Sequence, residues 1–105
     1  MAKEVEVEGD LKKNKAIASI KDSVDSFLNK NSDKFGFCHV EEIYISADLR
    51  TARVYVSFID VTNIQAKIDL LNKSRNNVFS EYKKKYSSRY FPVITFISFD
   101  DQFNI

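Results

Sequence analysis

Seven cations fall within residues 67–89, namely Lys67, Lys73, Arg75, Lys83, Lys84, Lys85 and Arg89, against only Asp69 and Glu81, a local charge of +5. At that density lysine and arginine hold anionic oxygens through charge-assisted hydrogen bonds, and the guanidinium forks of Arg75 and Arg89 match phosphate geometry. No catalytic set competes with this surface. The single histidine, His39, has no partner at metal-ligand spacing and reads as a surface residue of a strand. Cys38 is alone, so there is no disulfide framework and no CxxC pair, and it reads as a small core residue. Glycine occurs only at positions 9 and 36, which leaves no phosphate-cradling loop. Asp100-Asp101 reads as a charged strand end. These residues describe a binding surface, with no spacing that suggests a nucleophile or a metal set.

Such cations need rigid elements to present them. A chain of 105 residues with 44% apolar residues, nine Phe and 30% charged residues fits one domain with one core. No apolar run approaches the roughly 20 residues of a membrane span, so a soluble, cytoplasmic chain is expected. Residues 1–10 hold Lys3 against Glu4, Glu6, Glu8 and Asp10, and read as a flexible acidic N-terminus ahead of a domain over 11–105. Asp10 is placed to N-cap a helix from Leu11 to about Asn29, with Ile17, Ile20, Val24, Phe27 and Leu28 as its apolar stripe. Residues 29–36 read as a polar loop turned by Gly36. Phe37 to Ser46 and Thr51 to Phe58 read as strands of an antiparallel hairpin, with a bulge where the apolar phase slips across Glu41-Glu42.

Thr62 and Gln65 have capping-box spacing and open the next helix, which carries Ile64, Ile68 and Leu71. It breaks over Ser74–Asn77, with Asn76 left-handed and Asn77 capping the second half, and resumes through Val78, Tyr82 and Tyr86. Pro92 bars further helix. Val93 to Phe99 is a third strand, apolar on both phases and so expected to be central or well covered. The order is α+β, with helices layered on a small sheet.

Ser46-Ala47-Asp48-Leu49-Arg50-Thr51-Ala52-Arg53-Val54-Tyr55-Val56 resembles the ribosome-binding factor A family, whose pattern there is S-x-D-L-x-x-A-x-V-x-V. Arg89, Pro92, Ile94 and Phe96 match the family's later R-x-x-P-x-[LIV]-x-F. The resemblance spans roughly Leu11 to Asp100, with Ser74-Arg75-Asn76 standing where the family has an A-x-G bend. It implies a type II KH-like fold, helix-strand-strand-helix-bend-helix-strand on a three-stranded sheet, without the GxxG loop. It also implies a factor that binds the small ribosomal subunit and its rRNA during late maturation, particularly in the cold, and acts without catalysis or cofactor; a monomer is expected.

The candidate RNA contacts are Lys73, Ser74 and Arg75 at the bend, Lys83, Lys84 and Lys85 on the following helix, and Arg89 before the last strand. Lys12, Lys13 and Lys15 sit where cations oppose the helix dipole, which hints at an external use, and Lys12 and Lys13 join the candidates. Tyr86, Tyr90 and Phe91 interleave with these cations and could stack on bases, with core packing the leading reading for Phe91 and an even alternative for the tyrosines. The bland reading is a solvated face, on which Glu81/Lys85 and Asp69/Lys73 are favourable i,i+4 pairs. A protein–protein adaptor without RNA binding is the alternative function, and a small phosphate-ester hydrolase a distant third, since no site residues converge.

Overall fold

The computed structural model describes residues 8–86 and 91–99, with side chains beyond residue 12. The elements are α1 (Glu8–Lys30), α2 (Ser32–Phe35), β1 (Cys38–Ile45), β2 (Thr51–Phe58), α3 (Ile64–Lys73), α4 (Arg75–Lys85) and β3 (Val93–Ser98). This is the expected α+β, KH-like order, with α1, α3 and α4 on one face of the sheet.

Helix α1 buries its expected stripe: Ile20, Val24, Phe27 and Leu28 are all shielded from solvent. Ser23 sits within that stripe and is satisfied by the Ser19 carbonyl at 2.8 Å, so its burial leaves no orphan hydroxyl. The helix begins at Glu8, so Asp10 lies inside its first turn and is not the cap expected of it. At the other end the Asn31 side chain donates to the Phe27 carbonyl at 2.8 Å. The polar loop expected to follow contains a one-turn helix, α2. Phe35 explains it: the ring is buried 5.9 Å from Phe27, and one helical turn delivers it there. Gly36 then takes φ +70°, which favours glycine.

Strands β1 and β2 pair antiparallel with a register shift between Val40 and Glu42, the expected bulge. The Ser46–Arg50 turn is held by side chains. Ser46 Oγ accepts from the Arg50 and Thr51 amides at 3.1 Å and donates to Asp48 Oδ1 at 2.6 Å, while Leu49 takes φ +63°. The Ser-x-Asp-Leu motif is thus a turn-building device.

Strand β3 pairs parallel with β2, and the sheet order is β1-β2-β3. The centre therefore belongs to β2, and β3 is an edge strand. Its two apolar phases have different fates: Ile94 and Phe96 are buried under the helices, whereas Val93 is 57% exposed on the uncovered face. Asn72 of α3 reaches over to this edge, accepting from the Phe96 amide at 2.8 Å and donating to the Phe96 carbonyl at 3.2 Å.

Helix α3 does not start with a capping box. Thr62 turns back to Asp60 through its amide (3.0 Å) and hydroxyl (2.7 Å), and Asn63, left-handed at φ 56°, precedes Ile64. The break between α3 and α4 is one residue, Ser74, at φ −98° and ψ 14°. Asn76 lies in the first turn of α4, and Leu49 and Asn63 are the non-glycine residues at positive φ among those described, so the left-handed Asn76 is not found. A bridge-region serine relieves the bend without it. Asn76→Gly should consequently destabilise, by about 0.5 kcal/mol or less, and a thermal melt should read a fall of about 2 °C.

Candidate nucleic-acid interface

The cations of the bend and of α4 divide into two groups. The first lies where α3 hands over to α4. The Ser74 amide bonds to Leu71 O at 3.0 Å and its hydroxyl to Leu70 O at 2.8 Å, closing α3, while Ser74 O accepts from the Asn77 amide at 2.9 Å and starts α4. Lys73 and Arg75 flank that residue, both exposed. Arg75 opens α4, where the free amides and the positive end of the helix dipole add to its charge.

From Arg75 a stripe runs along α4 at intervals of four: Arg75, Phe79, Lys83. The Lys83 ammonium sits over the Phe79 ring, 5.2 Å from its centroid. Beneath Arg75, Asn76 and Phe79 the helix meets Phe91, Pro92, Val93 and Ile94 around a cavity of about 320 Å³. Its described lining holds one cation and no carboxylate. An anionic ligand would meet an aromatic wall and a guanidinium there.

The second group is already engaged. Lys85 donates to both carboxylate oxygens of Asp22 (3.2 and 3.1 Å) and to Ser26 (3.2 Å), tying α4 to α1. The Tyr86 hydroxyl donates to the same Asp22 at 3.0 Å. Lys85, then Tyr86, hold the Asp22 carboxyl below the usual range, and the Asp22 acceptor pushes the Tyr86 phenol up. One turn earlier Glu81, its side chain 11% exposed, accepts from Lys30 through both carboxylate oxygens (2.9 and 3.0 Å) and lies 3.4 Å from Lys84. The local pairs expected from sequence give way to these: Lys85 goes to Asp22, and Asp69 accepts from Gln65 at 2.9 Å.

The Lys30 hydrogen bond, with Lys84 adding, keeps the Glu81 pKa below its ordinary value. A depressed carboxylate contributes stability above its unfolded pKa of about 4.3 and loses it as pH falls through the folded one. Glu81→Gln should therefore flatten the acid limb of stability, so that the urea midpoint changes less between pH 7 and pH 3 than in the parent chain.

The remaining candidates fall elsewhere. Lys13 is half-buried on α1, and Lys12 lies on its backbone, with a side chain outside the described residues. Arg89 and Tyr90 lie outside the described residues. Tyr86 and Phe91 do flank the site: the rings of Tyr82 and Tyr86 are 5.0 Å apart, and Phe91 lies 4.5 Å from Tyr82 and 5.4 Å from Phe79. Sequence reasoning missed Phe79, although its spacing of four from both Arg75 and Lys83 marks one helix face. It also missed Lys30, whose partner is 51 positions away. His39 is exposed on edge strand β1, bonded to Glu41 at 2.7 Å and 3.2 Å from the Ser57 hydroxyl. Cys38 is partly buried against the core. Among the described residues no group of three His, Cys, Asp or Glu side chains could hold a metal, and no helix is long and apolar enough to cross a membrane.

Comparison with known proteins agrees with this geometry. The crystal structure of ribosome-binding factor A from Thermus thermophilus superposes with a TM-score of 0.67 at 17% identity, covering 79% of this chain and 91% of that one, a likeness of fold. A Ribosome-binding factor A from Thermodesulfovibrio yellowstonii is 32% identical over 75 residues, 70% of this chain and 63% of the relative's own length. The family model for ribosome-binding factor A matches residues 12–104, a span that takes in the Ser46 turn, the α3–α4 bend and all of β3. With fold, motifs and relatives in agreement over nearly its whole length, the chain belongs to the ribosome-binding factor A family.

Proposed function

We propose that this chain is a ribosome assembly factor that binds the small ribosomal subunit and its rRNA during late maturation. It acts in the cytoplasm as a monomer, without catalysis or cofactor, and its contribution is greatest in the cold. The observation that carries the reading is the Arg75–Phe79–Lys83 stripe beside Lys73, over a cavity with no carboxylate in its described lining. Cations in that setting take RNA backbone, and the adjoining rings take an exposed base. The names of the relatives speak of ribosome binding, and the early and late motifs resemble those of small-subunit factors.

Sedimentation with purified subunits and whole ribosomes at low and moderate salt tests it. Migration with free small subunits that is lost as salt rises, and is absent from whole ribosomes, is the expected result. Failure to join any ribosomal particle at low salt overturns the proposal. An adaptor reading draws on the uncovered sheet face, where Tyr44 is 49% and Val93 57% exposed. It predicts partner capture that survives ribonuclease and is insensitive to salt.

A further inference from the structure

A second cavity, of about 540 Å³, opens on the other side of α4 from the bend. Ile20 and Tyr82 line it from α1 and α4, Leu49 of the β1–β2 turn and Tyr86 also line it, and Lys15 of α1 contributes its charge. Phe91 and Pro92 line this cavity and the bend cavity alike, so the two adjoin across that pair. We infer that this α1–α4 cavity is a nucleotide subsite, which takes an unpaired base against the half-buried Tyr86 ring, itself backed by the buried Tyr82, with its phosphate at Lys15. The inference rests on the RNA reading above and extends it to an element, α1, that the bend does not include.

The chemistry of the lining selects this occupant. Each cavity offers aromatic rings, one cation and, among the described residues, no acid, and a nucleotide pairs one flat π face with one negative charge. Two of the polar side chains here are committed. Ser19 donates to Ala16 O at 2.9 Å, and Tyr86 donates to Asp22 at 3.0 Å. A polypeptide backbone would bring N–H and C=O groups to a wall with little left to satisfy them. A base would meet the Tyr86 ring through its face, a contact that every base can make. A duplex keeps its bases stacked within and cannot present one to a recess between two helices. The rings Phe79, Phe91, Tyr82 and Tyr86 pack on one another, with successive centroids 5.4, 4.5 and 5.0 Å apart, and form one aromatic wall shared by the two cavities.

Anisotropy of a fluorescein-labelled eight-nucleotide oligouridylate, against a labelled blunt RNA duplex of eight base pairs, tests the subsite. The parent chain should bind the oligouridylate more tightly. Tyr86→Leu should weaken that binding about tenfold, while Tyr86→Phe, which keeps the ring and loses only the Asp22 bond, should leave it unchanged. Lys15→Ala should lower the log–log salt slope by about 0.7, the share of one phosphate on a single strand. Lys21→Ala, at a lysine paired with Asp25 and outside both cavities, should have no effect. Because Lys15 is exposed, its variant carries the test even should Tyr86→Leu fail to fold. Equal or tighter binding of the duplex, or an unchanged slope for Lys15→Ala, overturns the subsite. So does self-association of the free protein that Lys15→Ala abolishes, which would put a second copy in the groove. If these outcomes occur while small-subunit sedimentation persists, only the subsite fails; loss of sedimentation in the parent chain removes the reading beneath it.

Discussion

Phe96→Ala should cost about 3–5 kcal/mol, a large share of the roughly 5–15 kcal/mol that holds a domain of this size. The ring is 1% exposed on the helix-facing side of β3, where Ile68 and Leu71 of α3 and Val54 of the central strand belong to the same core cluster. Truncation removes its transfer free energy and leaves a void that two anchors keep open. Asn72 holds the backbone of Phe96 from one side, and β2 holds it from the other through the Val54 register. Denaturant unfolding should show a lower midpoint with unchanged m, because the surface exposed on unfolding is nearly the same. Val93→Ala, on the same strand but 57% exposed, should stay within about 0.5 kcal/mol and serves as the control. A small loss at Phe96 would mean that β3 is not seated as described.

The second large effect is on binding. Arg75→Ala with Lys83→Ala should lower the salt slope of small-subunit binding by roughly two phosphate contacts' worth, about 1.4–1.8 in log–log terms. Affinity at low salt should fall tenfold or more. Lys84→Ala with Lys85→Ala should behave differently, because those ammonium groups are held by Glu81 and Asp22. That pair should leave the slope nearly intact and loosen α4 from α1 slightly, since exposed ion pairs contribute little each. If the two double variants flatten the slope equally, the division of the cations into free and engaged groups is wrong. Binding isotherms over a salt series decide it.

The elements that were legible in the sequence are those whose signal is a local period. Strand β2 ends where its alternation ends, at Thr51 and Phe58, and the slip at Glu41-Glu42 announced the bulge. The errors came where two local chemistries competed. Thr62 has the spacing of a cap, whose oxygen would accept from a helix amide, yet its amide and hydroxyl both donate to Asp60 two residues earlier and the helix starts after Asn63. Asn76 is a plausible left-handed residue, but Ser74 had already absorbed the change of direction. Strand β3 was misplaced because apolar residues on both phases cannot distinguish a central strand from an edge strand with one uncovered face.

At the site, the sequence located the cationic bend but not its division. The partners that engage Lys84 and Lys85 sit on α1 or depend on it, and Asp22 is 63 positions from Lys85, a separation no i,i+4 rule can see. The stripe through Phe79 was readable from spacing alone. Its meaning was not, because only the packing of Phe91 and Pro92 against it makes a cavity.

The Asn72 amide on β3 bears on how the protein behaves at high concentration. Alternate residues of a strand turn N–H and C=O to the same side, so an edge strand invites another chain to add to it. At the middle of β3 that invitation is cancelled by one side chain, which occupies both groups of Phe96. On the opposite edge the bulge in β1 breaks the even ladder that an added strand would need. A sheet interrupted on both flanks cannot grow into a fibre by strand addition. Concentrated stocks should accordingly stay clear and free of thioflavin-binding aggregates while the fold holds, and Asn72→Ala should free the β3 edge for pairing between two copies, read as a dimer, while the β1 bulge still stops further growth.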